Sequence, residues 1–261
     1  MAQYGWPVLF VILLWWFSTG AVLWLSMRPR HKLPLGLLSI TIVAAIGFAS
    51  ATIAANSSQT WAPYVGFASA LAIWAWVEFT FLTGLITGPR TKTCPQNISE
   101  PVRFRLAFRT ISRHEFALLI ALLAVFLITY AGTDHTAVLT FLTLWVMRVS
   151  AKLTIFSGVP AFSKDIMPES IRHLHSYFRE DRIGPVFWFS TLVCTLLLCG
   201  ALYALAVGVV PPDRIAQAVL LTTLVALAAF EHWMMVLPFE ETALWKWAIS
   251  SNSRNLGIQR K

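Results

Sequence analysis

Seven stretches of the chain run almost without charge for long enough to cross a bilayer, and short polar or basic segments separate them. An apolar helix needs about 20 residues to cover roughly 30 Å of hydrocarbon at ~1.5 Å per residue. Residues 6–26, 35–55, 61–87, 116–131, 137–159, 185–210 and 216–237 meet or approach that length. The pattern predicts an all-α integral membrane protein, a bundle of seven transmembrane helices forming one domain over residues 1–261, with no internal repeat and no soluble domain.

Proline and glycine punctuate the pattern at Pro29, Gly88-Pro89, Pro211-Pro212 and Pro238, where helix hydrogen bonding must stop. The polar separators carry a second periodicity. Between residues 90 and 114, Arg105, Arg109 and Arg113 recur every four residues beside an apolar stripe of Phe104, Phe108 and Ile111. That is the pattern of an interfacial amphipathic helix with a basic face, running into the fourth span. Pro168 is placed to open another short interfacial helix, with Ile171, Leu174 and Phe178 on one face and Arg172, Arg179 and Glu180 on the other. Beyond Pro238, Leu244, Trp245, Trp247 and Ile249 read as a further surface helix.

Charge sets the expected orientation. Of 20 Lys and Arg residues, 17 fall in segments that strict alternation puts on one side, two lie inside the fifth span and only Arg214 lies on the other side. Cytoplasmic loops carry such an excess, so the N-terminus is expected outside and the C-terminus in the cytoplasm. The first basic cluster, Arg28 to Lys32, follows the first apolar run instead of preceding it, which is not the order of a cleaved signal peptide, so that span is expected to stay.

Composition agrees: 57% of residues are hydrophobic, 12% are charged and the mean hydropathy is +0.67, values that exclude an ordinary soluble domain. The net charge of +8 then reports topology and contact with anionic lipid, and no nucleic acid is expected. Of the three cysteines, Cys194 and Cys199 point about 140° apart on a helix and Cys94 stands alone in a loop, so no disulfide framework is expected.

A few ionisable residues break the apolar runs. Arg148 and Lys152 sit one helical turn apart in the fifth span, Glu78 in the third, Glu231 and His232 in the seventh, and His114-Glu115 at the mouth of the fourth. A charge inside hydrocarbon costs about 2.5–3.5 kcal/mol on insertion scales, so these groups need partners, water or a ligand. All lie toward the basic side of the bundle, which makes Glu78, His114, Glu115, Arg148, Lys152, Glu231 and His232 one candidate buried polar cluster.

Its chemistry stays open at this stage. The charges could neutralise one another and fix helix register. The two cations could hold an anionic or amphipathic ligand, such as a lipid or a tetrapyrrole propionate. The Glu and His types match a carboxylate-bridged di-iron site, but adjacent Glu and His point about 100° apart on a helix, unlike the Glu-x-x-His arrangement such sites use. No metal is therefore assigned. His232 could serve as the axial ligand of a chlorin magnesium. A retinal site needs a Lys in the last span, and Lys246 lies beyond Pro238. No phosphate loop, nucleophile constellation or HExxH is present, so no enzyme is expected and no catalytic residue is assigned.

Several phrases resemble a known family. WAWVEFTFLTGLITGPR at 74–90, RHEFALL at 113–119, LWVMRVSAKLTIFSGVP at 144–160, HLHSYF at 173–178 and FEHWMMVLP at 230–238 are similar to the photosynthetic complex assembly proteins of the PuhE type. That is a multi-span membrane family of purple phototrophic bacteria tied to the reaction-centre gene cluster. The family's fifth-span phrase carries asparagine, leucine and asparagine where this chain has Thr154, Ser157 and Ala161. The resemblance implies a bacterial inner, photosynthetic membrane and reaction-centre or light-harvesting apoproteins as partners. It implies a role in assembling those complexes, with bacteriochlorophyll or a precursor as the ligand to be handled, and it implies no catalytic residue. The alternative is a membrane enzyme or transporter of tetrapyrrole metabolism that uses the buried Glu/His/Arg cluster.

Overall fold

The computed structural model describes residues 2–160, 167–237 and 244–248. Among them stand seven long helices and no strand: α1 (Ala2–Ser26), α2 (Leu33–Ala55), α3 (Ala62–Leu82), α4 (Glu100–Thr129), α5 (Thr136–Ser157), α6 (Pro185–Ala206) and α7 (Ile215–Met234). Short 3-10 turns at Arg30–Lys32 and Pro212–Arg214 and a longer 3-10 helix at Glu169–Tyr177 lie between them. All seven helices are long and apolar enough to cross a membrane, so the chain is an all-α, multi-pass membrane protein.

α3 is the most deeply buried helix and touches α1, α2, α4, α5 and α7. Lipid tails are as apolar as leucine, so helices in a membrane associate through close packing and interhelical hydrogen bonds. The α2/α3 pair uses both. α2 turns Gly36, Ile40, Ala44, Gly47 and Ala51 toward its neighbour, and these are buried. Ser50 and Ser69 hydroxyls meet at 2.8 Å, and the Trp76 indole donates to Thr41 at 2.9 Å. α6 lies at the rim against α5 and α7, with Phe189, Leu196 and Tyr203 exposed as a lipid-facing helix requires.

At the end opposite the basic loops, Asp134 organises the start of α5. Its carboxylate accepts from the Thr136 amide at 2.9 Å and from the Thr136 hydroxyl at 3.2 Å. Gln217 of α7 donates to that same hydroxyl at 3.0 Å, joining the first turns of two helices.

Three local differences from the expected elements stand beside one agreement. The third span was expected to run to residue 87, but α3 stops at Leu82, because Gly84 adopts φ +81° and terminates the helix as a left-handed residue does. Residues 83–90 then fold back onto α4. Gly88 makes that approach feasible, since a Cβ there would lie 2.1 Å from the Arg109 carbonyl oxygen.

The basic amphipathic segment runs into the fourth span as expected, the two forming one helix of 30 residues. At about 45 Å it exceeds the hydrocarbon thickness, so its first turns extend beyond it. Arg105, Arg109 and Arg113 are exposed along that extension.

The segment after Pro168 is a 3-10 helix. With 3.0 residues per turn instead of 3.6, its buried stripe is Ile171, Leu174 and Tyr177, and Tyr177 replaces Phe178 as the third anchor.

Finally, Trp245 and Ala248 are buried against α1 instead of lying on the surface. The Trp245 indole donates to the Trp16 carbonyl at 3.1 Å, and the Trp16 indole donates to the Leu244 carbonyl at 3.0 Å. Ile249 lies outside the described residues.

Candidate functional site

α5 presents Arg148 and Lys152 on one face because residues four apart on a helix are neighbours. α3 delivers Glu78 and α4 delivers Glu115 to the same level. Arg148 Nη2 donates to Glu78 Oε2 at 3.2 Å, and Lys152 Nζ donates to Glu115 Oε1 at 2.6 Å. Arg148 also feels the field of Glu231 from α7. Four helices therefore contribute one belt of charge.

That belt lies on the wall of a cavity of about 620 Å³ lined by α1, α3, α4, α5, α7, the 3-10 helix and residues 244–245. Elsewhere the wall is largely apolar, and the Phe104, Phe108 and Ile111 stripe of α4 faces it. Five of the seven sequence-derived candidates, Glu78, Glu115, Arg148, Lys152 and Glu231, line this space. Among the described lining residues that makes three carboxylates and two cations.

The pairs are unequal in exposure. The Lys152 and Glu115 side chains are 20% and 13% exposed, whereas Glu78 is 10% and Arg148 43% exposed. The surface Arg148 leaves uncovered opens into the cavity. Glu78 Oε2 holds the arginine, while Oε1 is enclosed with no partner among the described residues.

The two histidines do not line the cavity. His232 is enclosed, with Nδ1 2.8 Å from the Ala228 carbonyl oxygen and Nε2 3.0 Å from the Ser150 hydroxyl. A carbonyl only accepts, so Nδ1 carries the proton and Nε2 accepts from Ser150. Both nitrogens are thereby engaged within the protein, which leaves no lone pair for a chlorin magnesium. His114 is fully buried and tilted over Phe81, ring centroids 4.3 Å apart, with neither ring nitrogen partnered among the described residues. No three His, Cys, Asp or Glu side chains among the described residues gather closely enough to hold a metal ion.

A polar cap closes the basic end. Ile171, Leu174 and Tyr177 of the 3-10 helix face the cavity. The Tyr177 hydroxyl accepts from Arg90 Nε at 2.6 Å and donates to the Lys92 carbonyl at 2.9 Å. Arg103 Nη1 donates to the Tyr177 carbonyl at 2.5 Å, and Nη2 donates to Glu100 at 2.8 Å and to the Phe156 carbonyl at 3.1 Å. Glu100 also pairs with Arg179. Tyr177 and Arg103 were not singled out in the sequence. The signal for Arg103 is its offset of two residues from the Arg105, Arg109, Arg113 series, which turns it about 200° away from that exposed face.

Comparison with known proteins gives the family of this chain. A family model described as a protein of unknown function, DUF3623, matches residues 1–255. The chain belongs to this family. A family relative from Rhodobacter capsulatus, described as an uncharacterized 30.4 kDa protein in the puhA 5′ region, is 37% identical over 247 residues, covering 92% of this chain and 89% of the relative. No solved structure matches the chain.

Proposed function

We propose that the protein is a non-enzymatic assembly factor for the photosynthetic reaction centre and its light-harvesting complex. It acts in the photosynthetic inner membrane of a purple bacterium, with the N-terminus outside, by handling bacteriochlorophyll or the apoproteins that receive it. The observation that carries this reading is the 37% identity with a protein from the puhA 5′ region, in a photosynthesis gene cluster. A cavity of about 620 Å³ with a largely apolar wall and a charged belt suits an amphipathic molecule of pigment or lipid size. Deletion of the gene is expected to lower reaction-centre and antenna levels during phototrophic growth. Unchanged complexes and pigment content would sink the proposal.

A second reading, a membrane enzyme or transporter of tetrapyrrole metabolism, draws on Arg148 being open to a cavity of ligand size. It predicts that Glu78→Gln or Arg148→Met abolishes function in a protein that still inserts. Iron found in stoichiometric amount in the purified protein would favour this reading over the first.

A further inference from the structure

A row of unpartnered charge runs along α4 beside the cavity. Arg105, Arg109 and Arg113 are exposed, and none of them forms an ion pair among the described residues. Arg103, Arg148 and Lys152, by contrast, each hold a carboxylate. Like charges four residues apart repel one another on a helix, so the row is unfavourable by itself and complementary to an anion.

The level of the row in the membrane says which anion. α4 has 30 residues, of which about 20 span the hydrocarbon, so counting back from Thr129 puts the basic-side boundary near residue 110. The three arginines lie within about 8 Å of that boundary at ~1.5 Å per residue, and their long side chains reach the headgroup layer. Phospholipid phosphates lie there, and a guanidinium fork matches a phosphate with two parallel N–H bonds.

The row also borders the cavity. Arg105 and Phe108 are three apart and therefore neighbours on the helix surface. Phe104, Ala107 and Phe108 line the cavity, and the two phenylalanines are 47% and 44% exposed. From that edge the cavity extends into the membrane. Its deepest described lining residues, Trp15 of α1, Leu71 of α3, Thr143 of α5 and Leu224 of α7, stand about 10–14 residues from the basic-side ends of their helices. That is about 15–21 Å, where one leaflet of a ~30 Å hydrocarbon core measures about 15 Å. The cavity has the depth of a single acyl chain.

We propose that α4 and the cavity together bind one anionic glycerophospholipid of the basic-side leaflet. Its phosphate sits on Arg105 and Arg109, with Arg113 adding to the field, and one acyl chain passes Phe108 into the cavity toward Leu71 and Leu224. The site does not rest on the assembly role, and a gene deletion that left the photosynthetic complexes intact would not touch it.

The test places the full-length protein in nanodiscs of phosphatidylglycerol and phosphatidylcholine with the same acyl chains, then counts the lipids retained in detergent by mass spectrometry. One phosphatidylglycerol is expected to stay with each protein, preferred about tenfold or more, since each arginine near an anionic surface strengthens binding several-fold. Arg105→Gln/Arg109→Gln/Arg113→Gln changes only exposed side chains and should remove the preference in a protein that still inserts.

A phosphatidylglycerol with a diazirine near the end of one acyl chain reads the other end of the site in the wild-type protein. Ultraviolet light should attach it to buried lining residues at the level of Leu71 and Leu224. Ala107→Trp, which fills the cavity from α4, should abolish that labelling. Equal retention of the two lipids, a preference that survives loss of the three arginines, or inner labelling indifferent to Ala107→Trp overturns the proposal. Labels confined to outward-facing residues such as Phe189 and Leu196 also overturn it, leaving only a diffuse attraction to an anionic surface.

Discussion

Arg103 and Arg148 meet different fates, although the Phe156 carbonyl that Arg103 holds lies only about two turns of α5 beyond Arg148. Arg103 is 8% exposed, bonds to Glu100, the Tyr177 carbonyl and the Phe156 carbonyl, and lies 3.8 Å over the Phe156 ring. Arg148 has one described hydrogen bond and an open side. A guanidinium with its donors matched locks backbone segments together, whereas one with donors left over can recognise something else. The difference separates a structural clamp from a candidate site within one small region of the bundle.

Removing the clamp should have the largest effect. Arg103→Met leaves two carbonyl oxygens, on different segments, without their donor, at a cost of about 1–3 kcal/mol each where they stay buried. A total loss of about 3 kcal/mol is expected in reversible unfolding from mixed micelles. Adding Glu100→Gln should recover little, because the Glu100 side chain is 52% exposed and its charge is already solvated. Recovery close to wild type would show that the ion pair, not the carbonyl bonds, is what Arg103 provides.

Arg148→Met should cost less, about 2 kcal/mol, and behave in the opposite way. It strands the Glu78 carboxylate, whose side chain is only 10% exposed, and a stranded buried charge is the main penalty of breaking such a pair. Adding Glu78→Gln should bring stability back to within about 1 kcal/mol of wild type, since removing both partners is often nearly neutral. A double variant no better than Arg148→Met would make Arg148 a second clamp and erase the contrast.

The helices and the charged belt were legible in the sequence for the same reason. Hydrocarbon penalises charge so heavily that Glu78, Arg148, Lys152 and Glu231 stand out from their apolar neighbours without any structural knowledge. Pairing was not legible. Whether Arg148 meets Glu78 or Glu231 depends on the order of helices around the bundle, and no local pattern encodes that order. The cavity is also a global feature, since it exists where five helices fail to close on one another.

Two misread elements have local causes. Phe178 was expected to anchor the segment after Pro168 because an α-helical period was applied to a 3-10 helix, where Tyr177 completes the stripe. Trp245 read as part of a surface helix because aromatic residues near a span end usually lie at the interface, whereas it is buried against α1 and Trp247 stays exposed. The docking on α1 is signalled by Gly20, where a Cβ would lie 2.1 Å from the Trp247 ring, but a lone glycine in an apolar run points to no particular partner.

A smaller effect is expected on the histidine side of the belt. Ser150 of α5 donates to His232 of α7, so Ser150→Ala removes the described donor to Nε2 and should cost about 1 kcal/mol, the usual net value of one hydrogen bond. The cost should not depend on added ligand, because neither residue lines the cavity. A loss well above this value would show that the Ser150–His232 contact holds more of the α5/α7 seam than one hydrogen bond.

The smallest effect concerns the cap in acid. Burial pushes the His173 imidazole below the usual histidine range, with a hydrogen bond to the Arg90 backbone opposing the shift, and Nε2 has no partner among the described residues. A base with a lower pKa folded than unfolded takes up protons more readily once unfolded, so stability falls as pH drops through the unfolded value of about 6.5 and goes on falling until the lower folded value is passed. His173→Gln removes this titration. The melting temperature of the variant should therefore change less than that of the wild type between pH 7.5 and pH 5.5, and the two should converge at the upper end apart from a constant offset. The difference should be modest, since solvent reaches part of the ring. Arg103→Met serves as the control, because an arginine keeps its charge across this range and its loss should shift both ends of the profile equally. An acid slope that His173→Gln leaves intact would assign the pH response to another group and make the cap, like its arginine clamp, indifferent to protons.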